Sequence, residues 1–125
     1  MTDEAESDLA DRLRPILAAS AGRHATLSYL DLAQAAGVRP PRAIHRVTLV
    51  LERLMREDHA EGRPLLAAVA VSAKRGGTPA PGFFRLAAEL GVYFGPERGP
   101  QAALFHTLEL DRVCAAFGAE GASHD

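Results

Sequence analysis

The sequence is short of several things, and each shortage closes a class of answers. Cysteine occurs once, as Cys114. A single cysteine builds neither a disulfide framework within the chain nor a Cys-rich zinc site, and it fits a reducing compartment. The longest apolar run covers residues 65–71, far below the roughly 20 residues needed to span a bilayer. The N-terminus, M-T-D-E-A-E-S-D, is acidic, where a secretory signal is basic and then apolar. A cytoplasmic location and no membrane contact are therefore expected. Net positive charge is missing too. Lys and Arg total 14 against 16 Asp and Glu, a formal charge of −2, so bulk charge does not point to nucleic acid. Lysine is nearly absent: Lys74 stands alone among arginines. Arginine forks suit phosphate and carboxylate, although an Arg-, Ala- and Gly-rich composition equally fits a GC-rich bacterial-type genome.

Catalytic motifs are also lacking. Of His24, His45, His59, His106 and His124, no two have the spacing of a helical metal site such as H-E-x-x-H. His106 and Glu109 stand at i and i+3 and read as a partly exposed pair, not half a metal site. The glycine-rich stretch G-G-T-P-A-P-G has no Gly-Lys-Ser/Thr end, and G-x-S-x-G is absent. The expectation is no enzyme, no metal and no cofactor.

What is present is one ordinary globular domain. Its 125 residues are 47% hydrophobic and 24% charged, enough to bury a core and too apolar for disorder throughout. Leu9, Leu13, Ile16 and Leu17 recur at helical spacing and predict a first helix within residues 7–22, kinked by Pro15 and stopped by Gly22. Ser28 is a natural N-cap for a second helix over 29–36, with Asp31 completing a capping box. Leu30 and Ala33 are expected inside, and Gly37 ends the helix. Pro41 suits the first turn of a third, longer helix over 41–60. Residues 65–73 read as a strand and 74–82 as a loop rich in Gly and Pro. Residues 83–90 read as a short helix anchored by Phe83 and Phe84. Residues 100–117 read as a terminal helix burying Leu104, Leu108 and Val113. Residues 118–125 are expected to be disordered. The fold class is thus mainly α with a small β element. Two helices joined by a tight turn form a helix-turn-helix, and the strand and loop after them resemble a wing.

The third helix carries the functional signal. At 100° per residue, Ile44, Val47, Leu51, Leu54 and Met55 share one face. Arg42, Arg46 and Arg53 fall within roughly a 40° arc opposite, with Leu49 among them. Its first half offers Arg39, Arg42, His45 and Arg46 without an acid. Its second half mixes signs, and Arg53 and Arg56 are expected to pair with nearby Glu. A recognition helix reads DNA with its N-terminal residues. Lys74 and Arg75 open the loop, where a basic wing rests on phosphates.

Four segments in order, T-L-S-Y-L-D-L-A-Q-A-A-G, P-R-A-I-H-R-V, R-P-L-L-A-A-V-A-V-S and G-G-T-P-A-P-G-F-F, resemble the winged-helix domain of O6-alkylguanine-DNA alkyltransferases and alkyltransferase-like proteins, over residues 26–84. The resemblance implies that Tyr29 presses on a DNA phosphate and that Arg42 enters the base stack, as base flipping requires. It breaks at the reactive segment. The family's P-C-H-R-V is replaced by L-A-A-V-A, with Ala67 near the cysteine position, so alkyl transfer has no nucleophile. Cys114 reads as a small buried hydrophobe. The implied protein is a non-enzymatic DNA binder, sequence-independent or selective for DNA structure or lesions. Its contacts are Tyr29, Arg39, Arg42, His45, Arg46, Lys74 and Arg75. The alternative is a protein-interaction module on the same scaffold, a homodimer or the dock of another protein, favoured by the negative charge and Leu49. A small-molecule sensor is a third option and requires an internal pocket.

Overall fold

A computed structural model describes residues 2–122, with side chains to residue 118. The elements run α1 (Asp3–Gly22), β1 (Leu27–Ser28), α2 (Tyr29–Ala35), α3 (Ala43–Ala60), β2 (Ala70–Val71), α4 (Pro81–Glu89) and α5 (Pro100–Ala122), with 3-10 turns at Leu66–Val69 and Ala73–Arg75. The chain is mainly helical. Its small sheet is parallel, Leu27 beside Ala70 and Ser28 beside Val71.

Local chemistry explains most element ends. The Thr2 hydroxyl accepts from the Ala5 N–H at 3.1 Å, and Asp3, Glu4 and Glu6 fill the first turn of α1, where negative charge suits the helix dipole. α1 continues unbroken through Pro15. Asp11 and Pro15 both lie on its exposed face, so water can take the Asp11 carbonyl bond that proline leaves unmade. Ser28 caps α2 as expected, accepting from the Asp31 N–H at 3.0 Å. Arg12 donates to the Ala36 carbonyl at 2.6 Å, closing the C-terminal end of α2 from α1.

The core is built around residues 65–71, every one of them buried. This segment is held between α1, α3 and α5. Only its last two residues are strand, so much of its backbone lies inside without a regular partner. Buried N–H and C=O groups must be satisfied, and side chains do it. The Leu66 N–H donates to Asp58 Oδ2 at 3.1 Å. The Leu65 N–H donates to Glu109 Oε2 at 2.7 Å. His106 Nε2 lies 2.8 Å from the Ala68 carbonyl, and the tautomer with hydrogen on Nε2 makes that bond. Arginines then answer the buried carboxylates: Arg14 and Arg63 reach Asp58 Oδ1 at 2.9 and 3.0 Å, and Arg112 reaches Glu109 at 2.8 Å. A second, aromatic cluster joins α4 to α5, with Tyr93 stacked on Phe105 at 4.7 Å and Phe83 edge-on to Phe84 at 5.3 Å.

Several expectations need correction. The helix expected from residue 41 starts at Ala43, because Arg42 has a left-handed backbone, φ 61°. Ile44 is exposed and Val50 is buried instead. On α2, Leu30 is half exposed while Leu32 and Ala33 face inward. The strand expected over 65–73 is a 3-10 turn followed by two strand residues; its alanines have little preference for strand, and β1 offers only two residues to pair with. On α5, Leu104 and Leu108 face solvent, and His106 and Glu109, expected to be partly exposed, are buried. The inner face of α5 is set by the partners that residues 65–68 require, which turns the two leucines outward. Helix α5 also runs past residue 117 to Ala122; residues 123–125 of the expected disordered tail, His124 included, lie outside the described residues.

Two predictions follow from the core. Asp58→Ala removes the acceptor of a buried N–H and leaves Arg14 and Arg63 without their buried carboxylate. Both arginines reach solvent and Arg14 keeps Glu57, so the orphaned N–H dominates and a loss of about 1–3 kcal/mol is expected in urea unfolding. The second concerns pH. Burial lowers the His106 pKa from its ordinary 6.5, against the pull of the Ala68 carbonyl. The unfolded chain therefore takes up a proton that the folded chain resists, and stability falls as pH drops below the ordinary value. Glu57, lowered from 4.5 by its bonds to Arg14 and Arg53, loses its contribution the same way but at lower pH. Melting the protein at about pH 7.5 and about pH 5 isolates the histidine. The wild type should lose more Tm over that interval than His106→Gln.

Candidate functional site

The head of α3 is shaped by what its residues cannot do. Gly37, at φ 74°, ends α2. Pro40 and Pro41 have no N–H to donate. Arg42 then turns left-handed without a side-chain cap, a backbone conformation that costs a non-glycine residue roughly 1–2 kcal/mol. Arg42 therefore projects from the turn and not from the helix, and the arc drawn through Arg42, Arg46 and Arg53 does not form. Arg46 folds back over the turn, donating to the Arg39 carbonyl and, at 3.3 Å, to the Pro41 carbonyl. The result is a cleft of about 590 Å³ lined by Arg39, Arg42, His45, Arg46, Leu49 and the two prolines. No carboxylate lines it, and the first turn of α3 holds no acid. The structure thus brings together four of the seven sequence-predicted residues.

Tyr29 lies elsewhere. Its ring is buried, and its hydroxyl accepts from the Ala80 N–H at 2.8 Å. Burial raises its pKa, with Ala80 and Arg75 pulling the other way. In this structure the residue braces α2 against the chain entering α4. Beside it, a hollow lined by Tyr29, Met55, Ala67 and Phe83 measures about 30 Å³, room for one or two waters and far less than a nucleobase.

Lys74 and Arg75 sit on a tight turn closed by an antiparallel bridge between Ser72 and Thr78, with Gly76 and Gly77 at positive φ. Arg75 is engaged: its Nε donates to the Pro79 carbonyl at 3.0 Å and its Nη2 to the Glu97 carbonyl. Lys74 is exposed. A cleft of about 530 Å³ separates this turn from Arg98 and the start of α5. Arg98 is a residue that sequence reasoning missed, since nothing in the 91–99 loop signals that it folds beside Lys74.

Ion pairing sorts the remaining cations. Arg12, Arg14, Arg53, Arg56, Arg63, Arg85 and Arg112 each meet a carboxylate. Among the described residues no such ion pair involves Arg23, Arg39, Arg42, Arg46, Lys74, Arg75 or Arg98, and all of these but Arg23 line the two clefts. As for chemistry, the Cys114 thiol is buried and its pKa is raised, by burial first and by Asp111 second, the reverse of an activated nucleophile. Among the described residues no three His, Cys, Asp or Glu side chains gather as metal ligands, and no helix is long and apolar enough to cross a membrane. Compared with protein-family models, curated proteins and solved structures, the chain matches none of them.

The Tyr29 assignment makes a direct prediction. Tyr29→Phe leaves the part-buried Ala80 N–H without its acceptor and should cost about 1 kcal/mol in urea unfolding. The basic clefts should keep whatever anion affinity they have.

Proposed function

We propose that this chain is a non-enzymatic DNA-binding protein on a winged-helix-like scaffold, holding DNA mainly through its phosphates and with little sequence preference. The supporting observation is the cleft at the head of α3: Arg39, Arg42, His45 and Arg46 line it without a carboxylate, in a chain whose formal charge is −2. Arg39, Arg42 and His45 are exposed, and the guanidiniums of Arg39 and Arg42 make no ion pair among the described residues. Phosphate oxygens satisfy such groups, and each phosphate neutralised releases condensed counterions. Arg46 acts largely by holding the turn that presents the others. The water-sized hollow beside Ala67 lends nothing to lesion capture, so alkylated and plain duplexes should bind alike.

The test is fluorescence anisotropy of a labelled duplex over a salt series. Affinity should fall log-linearly with salt, with Kd on the order of 10⁻⁴–10⁻⁶ M near physiological salt. Arg39→Ala with Arg42→Ala should weaken every duplex about equally and reduce the salt slope by about two. Unchanged binding in that variant would remove the proposal. Flat anisotropy at low salt would favour the second reading, a protein-interaction module. That reading is supported by Leu104 and Leu108, one turn apart on the outer face of α5, and by Phe94, which is 83% exposed.

A further inference from the structure

The second cleft is built by parts of the chain far apart in sequence. On one side is the 72–78 turn carrying Lys74; on the other is Arg98, with Gly99 and Ala102 beyond it. Arg75 fixes the separation. Its side chain grips its own turn at the Pro79 carbonyl and the opposite loop at the Glu97 carbonyl, and the residue lines the gap. The nearby acid is turned away: the Glu97 carboxylate is held by Arg85 at 2.9 Å. Thr78 adds a hydroxyl, although that group already donates to the Arg75 carbonyl at 2.9 Å. Two exposed cations thus face a space of about 530 Å³ whose lining includes no acid. Positive side chains line one space without an acid among the described residues lining it, an arrangement that an anion suits.

We infer that the cleft between Lys74 and Arg98 is a binding site for a phosphate group, with Arg75 as the clasp that keeps its two walls apart. A lysine point charge and an arginine fork together suit a tetrahedral oxyanion. The phosphate has two possible sources, a phosphodiester of bound DNA or a free phosphorylated small molecule. For the first source the inference rests on the DNA-binding reading; for the second it does not.

The experiment uses the full chain, Lys74→Ala/Arg98→Ala, and Arg39→Ala/Arg42→Ala as a control in the other cleft. In the DNA arm, the Lys74/Arg98 variant should lose about tenfold or more in affinity at low salt, with the salt slope reduced by about one to two. In the free-phosphate arm, inorganic phosphate and ATP are titrated while amide NMR signals of Gly76 and Gly99 are followed. Saturable shifts in wild type that vanish in the Lys74/Arg98 variant support the site, and their persistence in the Arg39/Arg42 variant places it in this cleft. If wild type binds DNA, the Lys74/Arg98 variant matches it in affinity and slope, and the amides do not move, the inference is overturned while the DNA reading stands. If no DNA binds but the amides titrate, the DNA reading falls and the phosphate site stands. If neither arm responds, both fall. Matching melting curves for wild type and the Lys74/Arg98 variant exclude unfolding as the cause of lost binding; both side chains are exposed and neither makes an ion pair among the described residues, so their removal should leave Tm unchanged.

Discussion

The backbone of residues 65–68 crosses the core as one short 3-10 turn that satisfies only part of it, and Asp58, His106 and Glu109 supply further partners. Much else is arranged by that need. A carboxylate cannot sit at such depth uncompensated, so Arg14 from α1 and Arg63 from the end of α3 converge on Asp58, and Arg112 turns onto Glu109. The same contacts fix how α1, α3 and α5 lie about the segment. Apolar packing alone would tolerate several rotations of a helix; a hydrogen bond from a named N–H to a named oxygen tolerates far fewer.

This demand also shapes the surface. Arginines answering acids in and around the core are unavailable to partners, and others pair locally, as Arg56 does with Glu89. The formal charge of −2 is therefore a poor description of what a ligand meets. Acids are concentrated in pairs and at the start of α1, where the helix dipole welcomes them. Among the described residues, six of the seven Arg and Lys side chains without an ion pair line two clefts, Arg23 being the exception. A basic field of this kind arises by distribution and needs no excess of basic residues.

The sequence disclosed the parts governed by neighbours along the chain. Ser28 and Asp31 announced a helix start, Gly37 a stop, and the order of helices around a small β element was legible from spacing and breakers. The mainly helical class with a small sheet followed from these. The parts governed by distant residues were not legible. Periodicity assigns the inside of α5 to leucines, because it assumes that apolar residues are the buried ones. Here His106 and Glu109 take the inside, since residues 65–68 need polar atoms, and no local pattern encodes a need that arises about 40 residues away. Arg42 fell outside the helical arc for a related reason: two prolines before it reshape the entry. The cluster of Arg39, Arg42, His45 and Arg46 was still found, because those residues are close in sequence and a tight turn keeps them close in space. Arg98 was not, because only the folded chain brings it to Lys74. The surroundings of Tyr29 were not legible either. Its side chain is enclosed and bonded to the backbone of another segment.

The order in which a ribosome delivers these pieces now matters. Asp58 emerges before the segment it serves, but His106 and Glu109 follow their partners by 38 and 44 residues. At about 5–20 residues per second, the nascent chain spends seconds with an apolar, uncharged run two of whose backbone partners have not yet been made. Such a run exposes apolar surface that other chains can cover. Helix α5 is thus less an appendage than a closing piece, and a stall in translation between the segment and that helix would leave on the ribosome a chain with its stickiest stretch uncovered.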